Sequence, residues 1–326
     1  MINPDDMIIY GCSIEGDGSG QILSDQALLD RLKADDLAWV HLNLDHPDTR
    51  GWLEENISYL DPIIIDALMA EETRPRALEI DDGMFLSLRG VNLNDNADPE
   101  DMISIRMWID AHRIISVRRR KLRAVQDMRE YLLAGKGPKN AGDVLSFVTS
   151  KLFERMEPVF TDLDDRLDSL EERIMEQPDA KDRKAITEIR KEAIMFRRYI
   201  APQKDVMAQL RTTDISWVEN THKRKMQESM DRIIRYVEDI DAIRERAQIT
   251  KDELANALAD TLNKNMYVLS VIAAIFLPLG FLTGLLGINV GGIPGADNAD
   301  AFLIFCTILI MLVLLQIALF KKMKWF

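Results

Sequence analysis

The residues best placed to do chemistry lie near the end of the chain, at Gly287-Ile288-Asn289, inside an uncharged stretch that runs from Asn265 to Ala296. The carboxamide oxygen of Asn289 is a neutral, hard acceptor. Such an oxygen can hold a divalent cation through its water shell. That suits Mg²⁺, which gives up its waters reluctantly. Zn²⁺ favours His or Cys in a tight tetrahedral site. The two apolar stretches hold no His and a single Cys, Cys306, so tight stripping of zinc within them is not expected. Gly287 lets the chain turn and lets helices approach. Taken alone, the tripeptide reads more simply as a helix C-cap and turn, because Gly and Asn both favour the left-handed conformation.

Two elements must position this tripeptide. The stretch that contains it and a second apolar run, Ala301 to Phe320, each offer about 20 residues for a helix, enough to cross a bilayer core of roughly 30 Å. Helical spacing along the first puts Asn263, Met266, Leu269 or Ser270, Ala273, Leu277, Gly280 and Thr283 or Gly284 on one face. Met266, Leu269 and Leu277 read as apolar constrictions that gate by dewetting. Asn263 is the polar candidate at the inner mouth, and Thr283 offers a hydroxyl and a carbonyl to a hydrated ion. The plainer reading of this face is packing against a neighbouring helix. In the joining loop, Asp297 and Asp300 would raise the local cation concentration if present in several copies. Lys264 precedes the first run, Lys321, Lys322 and Lys324 follow the second, and the loop has no Lys or Arg. The positive-inside rule then places both termini in the cytoplasm and the loop outside.

The charge balance reads as solubility alone or, beside the two apolar runs, as attraction for a cation. The chain carries 41 basic and 54 acidic residues, a net charge of -13. Its mean hydropathy of -0.12 conceals a split. Without the four Lys and two Asp of residues 264–326, the rest holds 37 basic and 52 acidic side chains, a net of -15. Such a surface repels nucleic acid and anionic lipid and attracts cations. Cys12 and Cys306 allow no disulfide framework or Cys-based zinc site. No Gly-rich phosphate loop, metalloprotease motif or nucleophile elbow is present, so no enzyme is expected. Asp162, Asp164, Asp165, Asp168, Glu171 and Glu172 form an acidic helix face, read as a solvated coiled-coil face or as a collector of cations. His41 and His46 flank Asp45 and could bind zinc, but no clear third ligand is nearby.

The pattern predicts an α+β cytoplasmic domain over 1–140, long coiled helices over 141–264, a first span over 265–289, an external loop over 290–300, a second span over 301–320 and a cytoplasmic tail over 321–326. Strands are expected at 7–14, 37–44, 77–80, 84–91, 102–109 and 113–117. Hairpin turns are expected at Asp81-Asp82-Gly83 and Asp110-Ala111-His112. Helices are expected at 25–33, 49–55 and 61–70, each opened by an Asp or Thr suited to capping. A long helix is expected from Met156, kinked at Pro158 and ending at Gln177-Pro178-Asp179. A second is expected to be bent or interrupted at Pro202. No strong breaker separates Trp217 from Pro278, so one helix of about 105 Å is expected to run into the first span.

The segment from Asn263 through Phe276-Leu277-Pro278-Leu279-Gly280-Phe281-Leu282-Thr283-Gly284-Leu285-Leu286-Gly287-Ile288-Asn289 resembles the pore helix of the CorA-type metal ion transporters. The segments Glu71–Arg76, Leu86–Asn94, Ile115–Arg120 and Arg197–Gln203 are similar too, so the resemblance covers nearly the whole chain. That family usually carries Gly-Met-Asn followed by an acidic loop. Ile288 and the neutral Val290-Gly291-Gly292-Ile293-Pro294-Gly295 resemble instead its zinc-transporting ZntB branch. The resemblance implies a funnel-shaped homopentamer in the bacterial inner membrane, with the first span lining the pore. It also implies zinc as the cargo, with Co, Ni, Cd or Mg as further divalent cations, a proton gradient as coupling, and no resident cofactor. Two other readings stand beside it: a magnesium or cobalt channel of the same superfamily, and a membrane-anchored coiled-coil scaffold without transport.

Overall fold

The computed structural model describes residues 6–71, 74–287, 293, 295 and 298–322. The chain divides into two compact units, Met1–Asp252 and Glu253–Phe326. Ile288, Asn289 and Asp297 lie outside the described residues.

In the first unit, β1 (Ile8–Ser13), β2 (Ile22–Leu23), β3 (Ala38–Asn43), β4 (Arg76–Ile80), β5 (Gly83–Gly90), β6 (Ile103–Ile109) and β7 (Arg113–Arg118) form one sheet. Its order is β2-β1-β3-β7-β6-β5-β4. The β3–β7 pair is parallel, with Val40 opposite Ile115, and the other pairs are antiparallel. The expected strands match to within two residues at each end. β2 has two residues, too few to show an alternation. Both expected hairpins form. Asp81 takes a φ of +50° between β4 and β5. Asp110 Oδ1 accepts from the backbone N–H of His112 and of Arg113, at 2.9 Å each, between β6 and β7.

Period-two alternation sorts the strand residues onto two faces. Val40, Leu42, Phe85, Ile115 and Val117 join a buried core beneath α1 (Asp25–Lys33), α2 (Thr49–Asn56) and α3 (Pro62–Met69). The expected cap Asp61 acts as one: its Oδ1 accepts from Ile63 N–H at 2.8 Å, ahead of Pro62 in the first turn. Thr49 lies inside its helix and donates instead to the Asn43 carbonyl at 2.5 Å.

The opposite face presents Tyr10, Trp39, His41 and Ser116, with the Arg129 guanidinium of α4 (Arg123–Leu133) lying 5.4 Å from the Tyr10 ring centre. α5 (Ala141–Glu154) crosses β5 at Gly90, where a Cβ would come within 2.6 Å of Leu152. α4 and α5 answer to no particular expectation from the sequence, because their apolar positions merge with those of the strands and long helices around them.

Three longer helices complete the unit: α6 (Glu157–Glu176), α7 (Asp182–Thr212) and the part of α8 (Asn220–Leu286) before residue 253. The apolar residues spaced three and four apart are buried as expected, including Phe160, Leu163, Leu167, Leu170 and Ile174. Phe160 is held edge-on between Phe196 and Tyr236, each at 5.1 Å, which ties the three helices together. Pro158 and Pro202 depart from expectation in different ways. Pro158 kinks nothing, since Met156 is the cap of α6 and the proline occupies its first turn, where no N–H is needed. Pro202 does not interrupt α7. Ile200, Gln203, Val206 and Met207 around it are buried, and Gln203 Oε1 accepts from Arg89 N–H at 3.0 Å, which anchors the helix through the missing bond.

His41 is fully buried. Its Nδ1 lies 2.7 Å from Ser116 Oγ, which also accepts from Trp39 Nε1 at 2.7 Å. Burial, reinforced by the nearby Arg118 charge, pushes the His41 pKa well below its ordinary value. The folded chain therefore refuses a proton that the unfolded chain accepts below about pH 6.5. Stability from His41 is complete above that pH and is expected to fall at up to about 1.4 kcal/mol per pH unit below it. Urea unfolding between pH 7 and 5 checks this, with a flatter acid limb expected for His41→Gln.

Candidate ion pathway in the apolar hairpin

The second unit holds the end of α8 and α9 (Ala301–Lys322), the two helices long and apolar enough to cross a membrane. α8 passes through Pro278 and ends at Leu286, and Gly287 N–H donates to the Thr283 carbonyl at 3.0 Å. A Cβ at Gly287 would meet that same carbonyl at 2.7 Å, so the turn after the helix favours glycine.

The two faces of α8 differ in burial. Val271 is buried, and Ala274, Ile275, Pro278, Leu279 and Leu282 are half-buried. They recur at helical spacing on the side packed within the unit. Asn263, Met266, Leu269, Ala273, Leu277, Gly280 and Thr283 are all exposed; Met266, Leu269 and Leu277 keep 59%, 67% and 76% of their surface. At 3.6 residues per turn this set lies roughly half a turn from the packed one. α9 therefore covers the opposite side and leaves the predicted pore face bare. Two hydroxyls in this stretch are committed to the backbone: Ser270 donates to Met266 O at 2.8 Å and Thr283 to Leu279 O at 2.9 Å. Thr283 thus faces outward with its oxygen lone pairs. Asp300 is exposed at the start of α9, and its backbone carbonyl accepts from Ile304 N–H at 3.0 Å.

On α9 the half-buried stripe includes Cys306, Leu309, Val313, Gln316 and Phe320. Gln316 was not among the expected site residues. Its signal in the sequence is that of a lone carboxamide in an otherwise apolar run. Gln316 Nε2 lies 3.4 Å from the Ala274 carbonyl of α8.

The acidic face of α6 is partly neutralised. One guanidinium, Arg246 of α8, reaches three of its carboxylates: Asp164 at 2.8 Å, Glu171 at 2.6 Å and Asp168. Arg166 pairs with Asp162 at 3.7 Å and with Glu192 of α7 at 2.7 Å. These hydrogen bonds raise the pKa of both arginines. The zinc reading of His41 and His46 is also corrected. His41 is wholly buried against Ser116, whereas His46 Nδ1 accepts from Asp48 N–H at 3.3 Å. Among the described residues no group of three or more His, Cys, Asp or Glu could hold a metal ion.

The chain thus joins an α+β unit and a set of long helices to two helices long and apolar enough to cross a membrane. Comparison with known proteins narrows the class. The family profile described as "CorA-like Mg2+ transporter protein" matches residues 34–322. The "Divalent cation transporter CmaX" of Pseudomonas aeruginosa is 36% identical over 322 residues, covering 98% of this chain and 96% of that one. The "Zinc transport protein ZntB" of Yersinia enterocolitica is 35% identical over 318 residues, covering 97% and 95%. A solved structure of full-length CmaX superposes with a TM-score of 0.85, covering 98% of each chain at 36% identity. The chain belongs to the CorA-like family of metal ion transporters.

The Arg246 cluster yields a stability prediction. Arg246→Met leaves Asp164, Asp168 and Glu171 side by side on one face of α6 without the guanidinium that they share. It is expected to destabilise the chain by about 1 kcal/mol at low salt, a figure already reduced for solvent screening. The difference is expected to shrink as sodium chloride rises, read as converging thermal melts of the two proteins.

Proposed function

We propose that this chain transports zinc across the bacterial inner membrane as a funnel-shaped homopentamer. In this reading both termini are cytoplasmic, α8 of each subunit lines the pore, and Gly287-Ile288-Asn289 forms the outer filter. One observation carries it: the second span leaves uncovered the face of α8 on which Met266, Leu269, Ala273, Leu277, Gly280 and Thr283 lie. In lipid a bare face of small and apolar residues is available for helix packing or for lining a path. A ring of five copies gives it both roles at once. Relatives named for zinc and for divalent cation transport, matched over nearly the whole chain, support the choice of cargo.

The filter works by hydrated coordination. Five Asn289 carboxamide oxygens and nearby carbonyls hold the cation through its waters, weakly enough for release. Leu277 and Met266 form dewetted constrictions beyond it, Asn263 marks the cytoplasmic mouth, and Asp297 and Asp300 enrich cations at the outer one. The two spans carry no Asp, Glu or His. Proton coupling therefore uses groups outside the spans, or the hydrated ion itself. A second reading, a magnesium channel, draws on the Mg²⁺ description of the family.

Zinc and magnesium fluxes into proteoliposomes decide between these readings. Zinc uptake that rises with an inward proton gradient and falls at least about tenfold in Asn289→Ala is the expected result, a factor worth about 1.4 kcal/mol at the barrier. Magnesium flux indifferent to the gradient would select the channel. No flux of either ion would return the chain to the scaffold reading.

A further inference from the structure

Proline has no N–H, so Pro278 leaves the carbonyl of the residue four positions earlier without its helical donor. That residue is Ala274, on the half-buried side of α8. Inside a bilayer no water replaces the lost donor, and a prolyl helix persists there when a neighbouring side chain supplies one. Gln316 of α9 meets this requirement, with Nε2 3.4 Å from the Ala274 carbonyl oxygen. Gln316 is half-buried and sits on the stripe of α9 that includes Leu309, Val313 and Phe320. The hydroxyl of α9, on Thr307, donates to the Leu303 carbonyl of its own helix at 2.8 Å.

We propose that Gln316 is a positioning residue of the ion pathway. Its carboxamide replaces the N–H that Pro278 lacks and fixes α8 where the proline weakens it. The inference rests on the reading of α8 as the pore helix. Leu277 and Gly280 flank Pro278 on the bare face, so a change in helix geometry at Ala274–Pro278 moves them directly. Gln316 does not touch the cation; it acts through α8. Its Oε1 is buried without a hydrogen-bond partner among the described residues. A group with an unsatisfied half is costly in an apolar setting, so the bond made by the other half carries its purpose.

A double-mutant cycle on the full-length protein tests this. Gln316→Leu alone is expected to lower the melting temperature in detergent and to reduce cation flux in proteoliposomes about tenfold, the scale of one lost hydrogen bond. Pro278→Ala restores the N–H at position 278. In that background Gln316→Leu is expected to change flux by less than about twofold and to leave the melting temperature nearly unmoved. Equal losses in both backgrounds, or none in either, would overturn the proposal. Should Gln316→Leu fail to fold alone, recovery of a folded, conducting protein in the double variant supports it, and failure of both overturns it. Wild-type protein without flux would reject the pathway reading by itself, and non-additive melting temperatures would then still identify the bond.

Discussion

A backbone carbonyl inside a bilayer has to find its donor within the protein, and the apolar hairpin is organised around that requirement. Most carbonyls of α8 and α9 are satisfied by the helices themselves. Ser270, Thr283 and Thr307 return their own hydroxyl hydrogens to carbonyls three or four residues back. Pro278 creates the exception at Ala274, and a carboxamide from the neighbouring helix answers it. Gln316 thus gives α8 and α9 a polar contact at this level.

The first unit solves the same problem with different means. Its sheet buries Trp39, His41 and Ser116 on one face, and Ser116 Oγ serves both rings. Burial raises the Tyr10 pKa well above its usual value and lowers that of His41, so both stay neutral where a charge would have no solvent. Between the long helices, charge is handled by pairing. Asp182, with a largely buried side chain, meets Arg173 at 2.8 Å, and Asp127 meets Arg155 at 2.6 Å. Arginines thus meet the partly buried carboxylates at these places where helices meet.

Much of this architecture was legible in the sequence because it rests on periodicity. Alternation located six of the seven strands, three- and four-residue spacing located the buried stripes of α6, α7 and α8, and uninterrupted apolar length located the two spans. What escaped depends on tertiary partners. Pro158 and Pro202 look alike as helix breakers, yet one fell in a first turn and the other in a helix held by buried neighbours. His41 and His46 are close in sequence, but strand pairing commits one to Ser116. Arg246 lies about 80 residues after the carboxylates that it meets, a distance over which local pattern carries no information. Gln316 was visible only as an oddity, since its meaning comes from a proline on another helix.

The Arg246 cluster has a consequence for how this protein tolerates change over generations. Three anions on α6 depend on one cation on α8. Losing any one carboxylate leaves the guanidinium with two others, so each acidic position is individually redundant. The position at 246 has no such reserve, because its loss leaves three like charges together. Drift is therefore expected to be lopsided: the acidic partners exchange freely one at a time, while the basic partner is held in place by all of them together.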